Sequence, residues 1–279
     1  MHSFDERRNQ AMTLAPEPVR TSTALGRNLV GRLSAVVVAV PARNEQDRIE
    51  RCLRSIRTAI ANVRNVMVVV VVASDGSTDE TDQIVNRLHR PYAPVHLLRG
   101  RWQSAGGARR AAIFHGLTVA AHAAHTDTHA VWIATTDADT VVDADWLASH
   151  IAYADTGFDA VAGTVDLLED DDLTSPLLTA FSEMYTIDGD SHPHVHGANM
   201  GVRADAYLAA DGFPHIDVAE DHALWNELRR QEYRTISPLN VRVSTSARLT
   251  GRAVGGFADT MAAMLDGKHL DAAVRDARS

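Results

Sequence analysis

The chain has 279 residues, enough for one large α/β domain whose core needs no covalent staple. Lys plus Arg number 27 against 36 Asp plus Glu, a formal net charge of −9, which argues against a nucleic-acid-binding surface spread over the molecule. A single cysteine, Cys52, excludes an internal disulfide and any multi-cysteine metal site.

Residues 1–33 mix Arg, Thr, Pro and Glu without periodicity and are expected to form a mobile tail. The opening MHSFDERRNQ holds acidic residues and no apolar signal core, so the cytoplasm is the expected location. Residues 35–40 read as a fully buried strand from their valine content. Residues 41–45 then turn into a helix whose apolar positions Ile49, Leu53, Ile56 and Ile60 recur at spacings of three and four. Cys52 lies on the apolar side of that helix and reads as a small buried hydrophobe.

Residues 66–73 form the second expected strand, far shorter than the roughly 18–20 residues that cross a bilayer, so no transmembrane span is expected. Ser77 and Glu80 read as a capping box for a helix that buries Ile84 and Leu88. A strand at 95–98 and a helix over about 107–124 follow. A fourth strand at 130–135 ends at Asp137-Ala138-Asp139, and Asp143 can cap a helix carrying Trp146, Leu147 and Ile151. This alternation predicts βαβ units and a mostly parallel sheet flanked by helices. Residues 159–165 read as one more strand. From 166 to 195 an acidic run, a proline and several histidines fit no parallel unit. The expected organisation is therefore a nucleotide-type half, 34–165, and a second α+β half, 166–279, within one globule.

Three loops follow the carboxyl ends of parallel strands, at 41–45, 74–77 and 137–139, and that edge is where open α/β sheets bind ligands. Neither the dinucleotide Gly-x-Gly-x-x-Gly fingerprint nor the G-x-x-x-x-G-K-[ST] phosphate loop is present. Asp137 and Asp139 offer hard oxygen ligands suited to Mg²⁺ or Mn²⁺, although a lone Asp-x-Asp is most simply a solvated turn.

The series VVVAVPARNEQDRIERCLRSI, VVVVVASDGSTDET, GGARRAA, WIATTDADTVVDADWL and VAEDHALWNELRRQEY, in this order and spacing, resembles the family 2 glycosyltransferases of the GT-A fold. The resemblance runs from about residue 35 to 233. It implies a Rossmann-like first half that binds a nucleoside-diphosphate sugar donor and a second half that binds a hydroxyl acceptor. On that resemblance Pro41, Ala42, Arg43 and Glu45 would line the base and ribose, and Asp75 would face the base. Ser74 stands where the family has the first Asp of its Asp-Asp-x-Ser element, leaving the base open with uridine slightly favoured. Arg109 would neutralise the diphosphate or lie against the base, in one pocket with Asp75. Asp137 would hold ribose or ion, and Asp139 the Mg²⁺ or Mn²⁺ bridging the phosphates. Glu220-Asp221 matches the family's Glu-Asp pair, whose Asp takes the acceptor proton in inverting members.

The processive members' Gln-x-x-Arg-Trp element is absent, so transfer of a single sugar is implied. His196, Gly197 and Asn199 fall where the family places its acceptor loop. The alternate residues His192, His194 and His196 read either as a polar loop or as three imidazoles on one face that could hold zinc. Residues 169–172 read as a solvated acidic turn, and Arg248 and Arg252 either close over diphosphate or lie on the surface. Two other readings stay open: a sugar nucleotidyltransferase, against which the glycine-poor VPARNEQD loop speaks, and a non-catalytic nucleotide-sugar-binding protein.

Overall fold

Strand β1 (Ala35–Ala42) is buried at every position, which requires cover on both faces and places it centrally. The computed structural model describes residues 32–89, 95–169, 173–216 and 218–248, together with Ala262. In it β1 pairs in parallel with β2 (Met67–Asp75) on one side and with β4 (Val131–Thr135) on the other; β3 (Val95–Gly100) adds in parallel beyond β2. Beyond β4 come β8 (Met200–Arg203), β6 (Ala160–Ala162) and β9 (Thr235–Ile236), giving the order β3-β2-β1-β4-β8-β6-β9. β8 alone runs antiparallel to its neighbours.

Alternation along β1 sends Val36, Val38 and Val40 to one layer and Ala35, Val37 and Ala39 to the other. The first layer is filled by helices α1 (Ile49–Ala61), α2 (Thr81–Leu88) and α4 (Trp146–Asp155), through Leu53, Ile84 and Leu147 among others. The second takes α3 (Ala105–Ala124), α6 (Ala204–Ala209) and α7 (Glu220–Arg230), through Ile113, Tyr207 and Leu228. Cys52 is buried in the first layer, and burial pushes its thiol well above the ordinary range. This is the mostly parallel α/β architecture that the alternating pattern predicts.

A second sheet of β5 (Thr140–Val142), β10 (Arg242–Thr245) and β7 (Thr164–Leu167) lies across the carboxyl edge, with α5 (Ser175–Met184) following β7. The single strand expected over 159–165 is therefore two strands in two sheets. The break falls at Gly163, where a Cβ would stand 2.3 Å from Asn199 Nδ2 and 2.4 Å from the Val241 carbonyl oxygen. Only a residue without a side chain lets the chain leave one sheet for the other there. Because β8 and β10 sit beside strands of the first half, the boundary after 165 crosses both sheets.

Two expected caps differ. Thr81 opens α2, and its amide donates to Asp79 Oδ1 at 3.0 Å, while Ser77 Oγ bonds Ser74 Oγ instead. Asp143 supports α4 through its backbone carbonyl, which accepts from the Trp146 amide at 3.1 Å. The expected tail falls on residues 1–31, outside the described residues, apart from Arg32 and the buried Leu33. Among the described residues no helix is long and apolar enough to cross a membrane.

His150 on α4 lies fully buried between Trp132 and Trp146, and burial pushes its pKa down to about 3. A folded pKa below the unfolded value of about 6.5 gives stability that is present above pH 6.5 and is lost as pH falls toward 3. Between pH 7.5 and 5.5 this one group should remove about 1.4 kcal/mol. Urea unfolding at the two pH values should show His150→Gln losing less stability than the wild type by that amount; equal losses would mean His150 is protonated in the fold.

Candidate functional site

The first two loops of the carboxyl edge are stitched together. Asn44, in left-handed backbone at φ 54°, donates its amide to Ser77 Oγ at 3.1 Å, and its Oδ1 accepts from the Thr78 amide at 2.8 Å. Asn suits that conformation because its short polar side chain bonds locally. The Glu45 amide donates to Thr81 Oγ1 at 2.8 Å. Pro41 and Ala42 pair in register with Ala73 and Ser74, so they belong to the strand end, while Arg43 is exposed. Asp75, buried at the end of β2, accepts from the Trp102 and Gln103 amides at 2.5 and 3.1 Å. It thereby shapes the turn before α3, whose first turn Ser104 caps through the Gly107 amide at 3.1 Å.

Arg109 turns out to be an internal connector. Its side chain is only 3% exposed, with one guanidinium nitrogen 2.8 Å from Asp137 Oδ1 and another 2.5 Å from Glu220 Oε1. Burial opposes its charge, but the two carboxylates overcome that and hold its pKa above the ordinary arginine value. The residue expected to neutralise a diphosphate is held here by these two acids, with Phe213 under the guanidinium at 5.2 Å. Asp75 and Arg109 thus each have their own partners.

Asp139 meets a second arginine. Arg248 Nη2 is 2.7 Å from Asp139 Oδ2, and its two terminal nitrogens grip Glu45 Oε1 and Oε2 at 2.6 and 2.9 Å. Burial, with Asp137 and Glu45 nearby, raises the Asp139 pKa to about 6 although Arg248 pulls it down. Asp137 and Asp139 are an oxygen-only pair, and a hard divalent ion bound by one or two carboxylates completes its shell with substrate phosphates and water. That donor chemistry fits Mg²⁺ or Mn²⁺; among the described residues no three His, Cys, Asp or Glu side chains form a metal cage of protein ligands alone. Arg252 lies outside the described residues.

On the other side of Arg109, α7 opens with Glu220 and Asp221, after Ala219 in left-handed backbone at φ 62°. Asp221 Oδ2 accepts the Gly197 amide at 2.8 Å, and acids in a helix's first turn are favoured by its dipole. A Cβ at Gly197 would lie 2.8 Å from the Arg109 guanidinium carbon, which the two ion pairs hold in place. Asn199, an expected acceptor contact, is instead fully buried. Its Oδ1 accepts from Trp146 Nε1 at 2.9 Å, and its Nδ2 donates to the Thr164 and Val241 carbonyls at 2.7 and 2.9 Å.

His192, His194 and His196 do share a face. Their rings stack at 6.0 and 6.1 Å, face to face, so the nitrogens do not converge as a zinc site requires. His194 Nε2 accepts from the Thr186 amide at 3.0 Å, which puts the proton of the neutral ring on Nδ1. Burial pushes His196 down to about 4 against the pull of Asp221. Tyr185, which the sequence did not single out, stacks on His194 at 4.2 Å. It also lines a cleft of about 550 Å³ with Leu178, Phe181, Ile187, Asp166 and Arg242.

Residues 37–208, more than half of the chain, match the family model described as glycosyl transferase family 2, and the chain belongs to that family. Staphylococcus aureus TarS 1–349, solved in complex with UDP-GlcNAc, superposes with a TM-score of 0.58 at 16% identity, over 79% of this chain and 60% of that one. The mannosyltransferase PcManGT from Pyrobaculum calidifontis, solved with GDP-Man and Mn²⁺, gives a TM-score of 0.54 at 22% identity, over 88% and 65% of the two chains. At such identities the likeness is one of fold, the GT-A type, and this chain spans about 60% of the length of the TarS fragment. A comparison with curated proteins finds no match.

Removing one partner of a buried charge cluster leaves the others uncompensated, at a cost of about 3–5 kcal/mol. Asp137 retains 35% side-chain exposure, which puts Arg109→Met at the low end, about 3 kcal/mol. The exposed Arg242–Asp166 pair should cost under about 1 kcal/mol when Arg242→Met breaks it. Urea denaturation of both variants tests the contrast, and equal small losses would make Arg109 an ordinary surface charge.

Proposed function

We propose that this protein transfers a single sugar from a nucleoside-diphosphate sugar to a hydroxyl acceptor, with inversion, using Asp221 as general base. One observation supports this above all: the Asp137–Arg109–Glu220 bridge fixes the loop assigned to the donor's diphosphate against the helix turn that presents Asp221. Leaving group and base must lie on opposite sides of the anomeric carbon, so their relative placement is what an inverting displacement needs.

The donor would lie along the edge formed by the 41–45, 74–77 and 137–139 loops. The acceptor would enter past His196 and the Tyr185–His194 stack, where flat rings suit a sugar or aromatic face. Asp139, with Asp137, would hold Mg²⁺ or Mn²⁺, and a bound ion there supplies positive charge to the departing diphosphate. Asp221 receives the hydroxyl proton, the acceptor oxygen forms its bond to the anomeric carbon, and the bond from that carbon to diphosphate breaks. Gly197 holds Asp221 through its amide, which fixes the carboxylate's direction. Glu220 acts through Arg109 and is a positioning residue.

TarS complexes with UDP and UDP-GlcNAc support uridine, and the PcManGT complex with GDP-Man supports guanosine. Uridine is kept slightly ahead, and a binding panel of both diphosphates and their sugars with and without Mn²⁺ decides.

Asp221→Asn keeps shape and removes basicity. It should leave donor affinity nearly unchanged while lowering turnover by roughly the 10²–10⁴ that general-base catalysis supplies. Turnover within a few-fold of wild type would make Asp221 a helix-terminal acid and nothing more; donor binding with no transfer to any acceptor would favour a binding protein. Asp139→Ala should abolish the Mn²⁺ dependence of nucleotide-sugar binding in a folded protein. Isothermal titration with and without the metal reads this, and an unaltered dependence would remove the ion from Asp139.

A further inference from the structure

Arg248 stands forty residues beyond the end of the 37–208 segment that matches the family, yet its guanidinium reaches into the centre of the proposed donor site. It follows β10, whose last paired residue is Thr245, and its own amide donates to Ser246 Oγ at 3.3 Å. Ser246 Oγ also accepts from Arg48 Nε at 3.2 Å, so the short stretch 246–248 is tied to the start of α1. From there the side chain spans two loops of the carboxyl edge, to Glu45 after β1 and to Asp139 after β4.

The two grips differ. Glu45 is held by both terminal nitrogens, a bidentate fork in which geometry as well as charge favours the pair. Asp139 is held through Nη2 alone, at 2.7 Å. All three side chains are sheltered, Arg248 at 15% exposure, Glu45 at 5% and Asp139 at 14%. The Asp139 oxygen that Arg248 occupies belongs to the carboxylate assigned to the divalent ion. A divalent ion on that carboxylate would bring its charge close to the guanidinium where water screens poorly, and their mutual repulsion weakens the contact.

We infer that Arg248 is a positioning residue that holds the cation place at Asp139 in the unliganded protein and yields it when ion and donor arrive together. Released from Asp139 but anchored on Glu45, the guanidinium turns to the donor's diphosphate, whose oxygens suit the same planar fork. The exchange couples metal to nucleotide: the ion alone must displace Arg248 with no new partner for it, whereas the ion with diphosphate supplies one. This inference rests on the donor-site reading above.

The test is a Mn²⁺ titration of the full chain, following free Mn²⁺ by electron paramagnetic resonance, alone and with UDP or GDP, for the wild type and Arg248→Met. Without nucleotide Arg248→Met should bind Mn²⁺ at least about tenfold more tightly than the wild type; in saturating Mn²⁺ it should bind the diphosphate about tenfold more weakly. Arg248→Lys, which keeps charge and loses the fork, should fall between, and it replaces Arg248→Met if thermal melting shows that variant unfolded. Arg242→Met, an exposed arginine on β10, serves as the control and should change neither affinity. Wild type that binds diphosphate with Mn²⁺, beside Arg248→Met with both affinities unchanged, overturns the exchange alone. Diphosphate binding that needs Arg248 but ignores Mn²⁺ overturns it as well. Absence of any diphosphate binding by the folded wild type overturns the donor-site reading itself.

Discussion

A buried guanidinium must be paired, and Arg109 meets that requirement through two carboxylates from distant parts of the chain, 28 and 111 residues away. Leaving a charge unpaired in so dry a place would cost several kcal/mol, so α3, the loop after β4 and the first turn of α7 have little freedom to move apart. The rest of the edge is built to allow that approach. Gly197 gives the guanidinium room, and the same residue's amide holds Asp221. Ala219 accepts left-handed backbone just before the Glu-Asp pair, a conformation that costs a non-glycine residue about 1–3 kcal/mol and persists only where its surroundings enforce it.

Electrostatics along the edge follow one scheme. Glu45, Asp137, Asp139 and Glu220 bring four carboxylates to this edge, and two arginines offset them. Arg109 is enclosed and permanent. Arg248 follows β10 and joins Glu45 to Asp139. The raised Asp139 pKa, about 6, reports the same crowding of acids in a sheltered place.

The 192–196 segment is organised by stacking rather than by charge. The strand-like run 192–196 places alternate imidazoles on one face, as period-two geometry demands, and Tyr185 extends the row toward the cleft beside α5. His194 Nε2 accepts from a backbone amide, and burial lowers the pKa of all three imidazoles.

The sequence by itself determined the layered scaffold. The unbroken apolar runs at 35–40 and 66–73, with three-four spacing at Ile49, Leu53 and Ile56, are local information, because strand and helix periods act over a few residues. The order of loops around Asp75, Asp137, Asp139 and Glu220-Asp221 was legible for the same reason, each following a recognisable element. Tertiary structure alone decided how those side chains are used. Whether 159–165 is one strand or two depended on Asn199 and Val241 crowding Gly163 from far along the chain. That Asn199 is a core strut, that Arg109 joins Asp137 to Glu220, and that Arg248 reaches Glu45 across 203 residues were equally invisible. A polar residue's partner is set by which groups share its burial, and burial is a property of the assembled layers, not of neighbouring letters.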